Sequence, residues 1–141
     1  MPKYLILTML LFSLSVLTAG DYIIGTGTSN QYYVPFYGGN NYGWSRFFFT
    51  ADELLAAGMT GTVQITKIGF QLVSNTLDNY ITNDQRIYIR EFYDENYPSN
   101  PQYINPSSYP VAYQGTISWT SPGWVFIQLT TPYSYTYNGG S

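Results

Sequence analysis

The chain of 141 residues has no cysteine and no histidine, and only 9% of it is charged. Without cysteine there is no disulfide framework and no thiolate nucleophile. Without histidine the usual general base, zinc ligand and pH switch are missing, so Ser-His-Asp, Cys-His and zinc hydrolase mechanisms are closed to it. Basic residues are scarce too, five Lys+Arg against eight Asp+Glu for a net charge of −3. Nucleic acid and anionic membrane both require clustered cations. Beyond Lys3 the cations are Arg46, Lys67, Arg86 and Arg90, which form no run, so nucleic acid is excluded as a partner. No Asn-x-Ser/Thr sequon with a permitted middle residue occurs, since Asn105-Pro106-Ser107 is blocked by its proline; this points toward a bacterial source.

The one long apolar run is at the start. Lys3 precedes a nearly unbroken stretch from Tyr4 to Val16, closed by the small residues Thr18-Ala19-Gly20. That order is the pattern of a cleaved signal peptide. The run is shorter than the roughly 20 residues that span a bilayer, and no basic cluster follows it, which disfavours a membrane anchor. A lipoprotein would need a cysteine at the cleavage site. The expectation is that 1–20 is removed, Asp21 becomes the mature start, and the product is exported, extracellular or at the cell surface, with no membrane association after cleavage. Losing Lys3 leaves four cations against eight acids, a net charge of −4. The remaining 21–141 is long enough for one domain with a real core. Its stability must come from packing, for which 16 Tyr, 8 Phe and 3 Trp supply large areas.

Along the mature chain, Gly25-Thr26-Gly27-Thr28-Ser29 is an extended polar opening; no helix follows to make its Gly-x-Gly a phosphate loop. Gln31 to Tyr37 is β-prone but interrupted by Pro35, which suits an edge strand. Arg46 to Thr50 reads as a short strand. Thr50-Ala51-Asp52-Glu53 is a capping box, Leu54 to Ala57 are good helix formers and Gly58 is a C′ stop, predicting a short helix near 51–57. Val63 and Ile65 alternate, and after a slip near Thr66-Lys67 so do Ile68, Phe70 and Leu72, as a β-bulge would produce. Further strands are predicted at 85–93, where Ile87 and Ile89 face inward, at 111–119 and at 124–129, separated by turns at 75–84, 97–110 and 121–123. Val125, Ile127 and Leu129 face inward, opposite Trp124, Phe126 and Gln128. One of Trp119 and Trp124 is expected in the core. The strand spacing predicts an all-β fold, an antiparallel β-sandwich or jelly roll with one short helix. The ending Asn138-Gly139-Gly140-Ser141 is a turn signal with no return strand, so the domain is expected to continue past Ser141.

Several strings are familiar together: Ile24-Gly25-Thr26-Gly27-Thr28-Ser29, Tyr33-Val34-Pro35-Phe36-Tyr37, the Asn/Tyr/Ser loop from Asn40 to Ser45, Phe49-Thr50-Ala51-Asp52-Glu53-Leu54, and Ile65-Thr66-Lys67-Ile68-Gly69-Phe70. Ile87-Tyr88-Ile89, Gly115-Thr116, Gly123-Trp124 and Leu129-Thr130-Thr131-Pro132-Tyr133 continue the pattern. In these the chain resembles an N-terminal module of adhesin-like, sorting-tail-bearing surface proteins of Bacteroidota and related bacteria. The resemblance implies a β-sandwich, a surface or adhesive role and further strands beyond a Tyr-Asn-Gly turn. It supplies no active-site residues, and nothing transfers to the variable stretch from Tyr93 to Tyr113.

Three kinds of site can be weighed. A glycosidase needs only two carboxylates, and Asp78, Asp84, Glu91, Asp94 and Glu95 are available. Adjacent Asp94 and Glu95 would face opposite sides of a strand, and Glu91 beside Arg90 reads as surface charge, so the chain is read as no enzyme. Asp78, Asn79, Asn83 and Asp84 share one loop and offer the hard oxygens that calcium takes, although Asn and Asp are also ordinary turn residues. Aromatics in loops rich in Asn and Gln, chiefly Tyr37, Tyr42, Trp44, Tyr97 and Tyr103, have the parts of a carbohydrate platform; against that, Tyr is simply a good strand former. The functional expectation is a non-catalytic structural or adhesive module of a secreted or cell-surface protein, its partners polysaccharide or other surface proteins. The alternative is a carbohydrate-binding module attached to a secreted hydrolase.

Overall fold

A computed structural model describes residues 19–25, 35, 43–72, 80–91, 106–119 and 122–138. Their regular elements, in chain order, are helix α1 (Ala51–Ala56), strands β1 (Thr62–Leu72) and β2 (Tyr80–Tyr88), a single 3₁₀ turn (Pro106–Ser108), and strands β3 (Val111–Trp119) and β4 (Gly123–Thr136). β1 pairs antiparallel with β4 and β2 with β3. The fold is all-β with one short helix, as the alternation and turn chemistry indicate.

α1 is set by its ends. Glu53 N–H donates to Thr50 Oγ1 at 3.2 Å while Thr50 N–H donates to Glu53 Oε2 at 2.7 Å, the reciprocal pair of a capping box. At the other end Gly58 has φ +99°, a conformation that glycine takes without a Cβ clash.

Strand β1 shows the expected slip. Val63 and Ile65 are half-buried, and beyond Thr66-Lys67 so are Ile68, Phe70 and Leu72. The cause lies mostly in the partner: Ile65 faces Tyr133 but Lys67 faces Gln128, so Thr66 alone is matched against Leu129 to Pro132. Pro132, which has no N–H for a ladder, falls in that mismatch. Past it the strand resumes. The 132–136 stretch, which sequence composition leaves outside any strand, is therefore the second half of β4, pairing through Thr136 with Thr62.

Two other sequence boundaries move. β2 begins at Tyr80 and ends at Tyr88, whereas the sequence predicts a turn through Asp84 and a strand over 85–93. The reason is a bulge: Asn83 and Asp84 together oppose Thr116, with Asp84 at φ +50°, so the polar Thr-Asn-Asp run lies within the strand. The bulge keeps Tyr80 and Thr82 on one side of it, and Gln85 and Ile87 on the other, turned inward. A second shift leaves Ala112 as an extra residue of β3, and it is buried. The predicted strand at 46–50 is not one; the segment is irregular, and Phe47 leans on Phe70 with ring centroids 5.4 Å apart.

Residues of all four strands meet in one apolar cluster. Ile117, Trp119 and Ile127 are buried, and Ile68, Phe70, Leu72, Tyr80, Ile87, Tyr113 and Val125 close around them. Trp119 is 1% exposed. Its indole Nε1–H donates to Thr82 Oγ1 at 3.0 Å, and that hydroxyl donates onward to the Ile117 carbonyl at 3.4 Å. The largest core side chain thus has the polar partner that a buried indole requires.

Candidate functional site

Because side chains alternate across a strand, burying Val125, Ile127 and Leu129 turns Trp124, Phe126 and Gln128 to the opposite, outer face of the β1–β4 ribbon. Trp124 is 44% and Phe126 51% exposed. Their rings are nearly parallel, 11° between planes with centroids 5.8 Å apart, within the offset-stacked range of about 4.5–7 Å. Gly69 makes this possible. It is the register partner of Phe126, and a Cβ at Gly69 would stand 2.8 and 2.9 Å from atoms of that ring and 3.3 Å from Trp124. The bare backbone lets both rings approach the sheet.

Polar groups frame the pair. The Lys67 ammonium lies 4.6 Å from the Phe126 centroid and pairs with the Asp21 carboxylate at 2.8 Å. Gln71 is the register partner of Trp124 and Gln128 that of Lys67; Gln128 Nε2 donates to the Thr66 carbonyl at 2.8 Å. The arrangement is an aromatic strip with flanking amides and a cation neutralised by its own partner. It offers stacking and hydrogen bonding and contains no nucleophile.

The Glu53 and Asp84 carboxylates, like that of Asp21, are engaged by protein donors. Hydrogen bonds from the Thr50 backbone and side chain hold the Glu53 carboxyl below the usual glutamate range. Asp84 accepts from Gln114 Nε2 at 3.1 Å and pairs with Arg86 at 3.4 Å, while Asn83 Oδ1 accepts from Thr116 Oγ1 at 3.1 Å. The Asn83-Asp84 half of the candidate calcium set thus meets protein donors, one of them a cation; Asp78 and Asn79 lie outside the described residues, as do Asp94 and Glu95. Among the described residues no group of three or more His, Cys, Asp or Glu side chains could hold a metal ion. The Glu91 N–H donates to the Tyr133 hydroxyl at 3.0 Å. Burial first, and then the Glu91 charge, push the Tyr133 and Tyr135 hydroxyls above the usual tyrosine range.

Of the candidate glycan aromatics, Trp44 is described: it is 52% exposed, in the irregular segment before α1. Tyr37, Tyr42, Tyr97 and Tyr103 lie outside the described residues. Tyr109, also near a predicted loop, accepts a 2.7 Å hydrogen bond from Arg90. Of the two tryptophans flanking the 121–123 turn, Trp119 is the core residue and Trp124 the surface one. Sequence reasoning passes over Phe126 and Gly69. The alternation after Gly123 signals that Phe126 faces outward; that Gly69 lies beneath it follows only from strand pairing. Among the described residues no helix is long and apolar enough to cross a membrane. Compared with known proteins, the chain matches no family model, no curated protein and no solved structure.

Proposed function

We propose that this chain is a non-catalytic, exported module of a bacterial cell-surface or secreted protein, a β-sandwich serving architecture or adhesion. The observation that carries the reading is the outer β1–β4 face, where Trp124 and Phe126 lie exposed and stacked over Gly69 instead of joining the core. Two large aromatics side by side on an exposed sheet face are the kind of apolar surface through which a module can engage a partner. The non-catalytic part rests on the lack of histidine and cysteine and on the structural engagement of Asp21, Glu53 and Asp84. Export rests on the leader pattern of 1–20. The same aromatic strip favours a second reading, a carbohydrate-binding module attached to a secreted hydrolase.

The test is to express the full chain in a bacterial host, sequence the N-terminus of the product, and treat intact cells with protease. The expected product begins at Asp21, within a residue, and is released to the medium or digested at the surface. A protein that keeps residues 1–20 and stays protected inside the cell would sink the proposal.

A further inference from the structure

We infer that Asn138 is a site of spontaneous covalent modification, its side-chain amide passing through a cyclic imide with the Gly139 nitrogen to aspartate and isoaspartate. Among the described residues no element takes up the Asn138-Gly139 turn signal. The site is independent of the export and binding roles proposed above.

The sequence singles out the position. Imide closure brings the backbone nitrogen of the next residue onto the asparagine side-chain carbon, and a Cβ on that residue stands in the way. Glycine has no Cβ and the widest choice of backbone angles. Asn138 is the one asparagine of the chain followed by glycine; each of the others precedes a residue that carries a Cβ.

The fold leaves Asn138 outside the ladder. The last register pair of β1 and β4 is Thr62 with Thr136, and the Tyr137 N–H still donates to the Gly61 carbonyl at 3.0 Å. Asn138 comes next, exposed and in no regular element. Asn83 is the contrasting case. It is exposed too, but it sits within the β2 bulge, where its Oδ1 accepts from Thr116 Oγ1 at 3.1 Å and its carbonyl from Gln85 Nε2 at 3.0 Å. Turning its side-chain carbon onto the Asp84 nitrogen would break the first bond and distort the bulge.

The chemistry needs water alone as co-reactant and changes no oxidation state. The Gly139 nitrogen gives up its proton and attacks the Asn138 side-chain carbonyl carbon. The bond from that carbon to the amide nitrogen breaks, and ammonia leaves with the proton. Water then opens the imide. Attack at the side-chain carbonyl yields aspartate; attack at the main-chain carbonyl yields isoaspartate, whose backbone is one methylene longer. Either product adds one negative charge to a chain of net charge −3, just past the end of the β1–β4 ribbon.

The experiment incubates the exported full chain at physiological temperature in mildly acidic and mildly alkaline buffer. Peptide mapping by mass spectrometry, with electron-transfer fragmentation to tell isoaspartate from aspartate, follows every asparagine. Expected are conversion at 138 ahead of all other asparagines, both products present, a faster rate in the alkaline buffer, and Asn83 intact while the chain is folded. Gly139→Ala should convert about tenfold more slowly or worse, since its Cβ obstructs the reacting nitrogen. The inference is overturned if residue 138 remains asparagine or converts no faster than Asn83. It is equally overturned if Gly139→Ala converts as fast as wild type, or if aspartate forms without isoaspartate.

Discussion

At the scale of single residues, Trp119 and Trp124 show how parity sorts identical side chains. Trp119 shares its side of β3 with Ile117 and is buried; Trp124 alternates against Val125 and Ile127 and is half exposed. Trp119→Ala should lower unfolding free energy by about 3–5 kcal/mol, as large aromatic truncations in cores do. Thr82→Val keeps the volume but strands the indole N–H, and should cost about 1–3 kcal/mol. Denaturant titration of the three proteins checks both; a Thr82→Val variant as stable as wild type would show that the 3.0 Å hydrogen bond contributes nothing. The outward direction of Trp124 and Phe126 was legible in the alternation of 124–129. Their stacking over Gly69 was not, because it depends on a pairing between segments some 57 positions apart (Gly69 with Phe126) that no local pattern encodes. The loop aromatics and the calcium set, chosen by composition, carried no such directional signal.

At the scale of elements, the helix was the most legible because its signals are local. Thr50, Glu53 and Gly58 are enough to place α1, and Thr50→Ala should cost about 1 kcal/mol by opening the capping box. Since the Glu53 carboxyl is held below its ordinary range in the folded state, the cap contributes fully above that range and is lost as pH falls through the depressed value. A side-chain NMR titration of Glu53 in wild type and Thr50→Ala should show the depression vanish in the variant. Strand β4 supplies the opposite sign. Tyr133 and Tyr135 have raised hydroxyls, so the folded chain holds those protons more tightly than the unfolded chain; stability is intact below about pH 10 and falls as pH rises beyond it. Tyr135→Phe should soften that alkaline decline, measured as thermal midpoint against pH; an unchanged profile would assign the decline to other groups. The boundaries that sequence missed are those where pairing overrides composition. Asn83-Asp84 reads as a turn but is a bulge held by Thr116 and Gln114, and the strand predicted to end at 129 runs on to Thr136, with Pro132 falling where the ladder is already out of register. Conversely, Phe47 to Phe49 has strong β propensity yet lies in no strand, since propensity expresses itself only against a partner.

At the scale of the whole molecule, each sheet has two strands among the described residues, and a lone two-stranded ribbon is at best marginally stable in water. What holds both is the shared cluster: Ile127 of β4 touches the group that contains Ile117 and Trp119 of β3, and Ile68, Phe70 and Leu72 of β1 close around it. The ribbons should therefore unfold together. Far-UV circular dichroism and tryptophan fluorescence, the latter including buried Trp119, should trace one coincident denaturant transition. Ile127→Ala sharpens the test, because it removes core volume from the β1–β4 ribbon alone and should destabilise by about 2–5 kcal/mol. If the core is one unit, amide exchange in β2 and β3 will accelerate as much as in β1 and β4, although no atom of their own ribbon has changed. Preserved protection in β2–β3 alongside lost protection in β1–β4 would mean that the ribbons are independent. The stacked Trp124–Phe126 pair would then ride on a ribbon held together by the β1–β4 ladder alone.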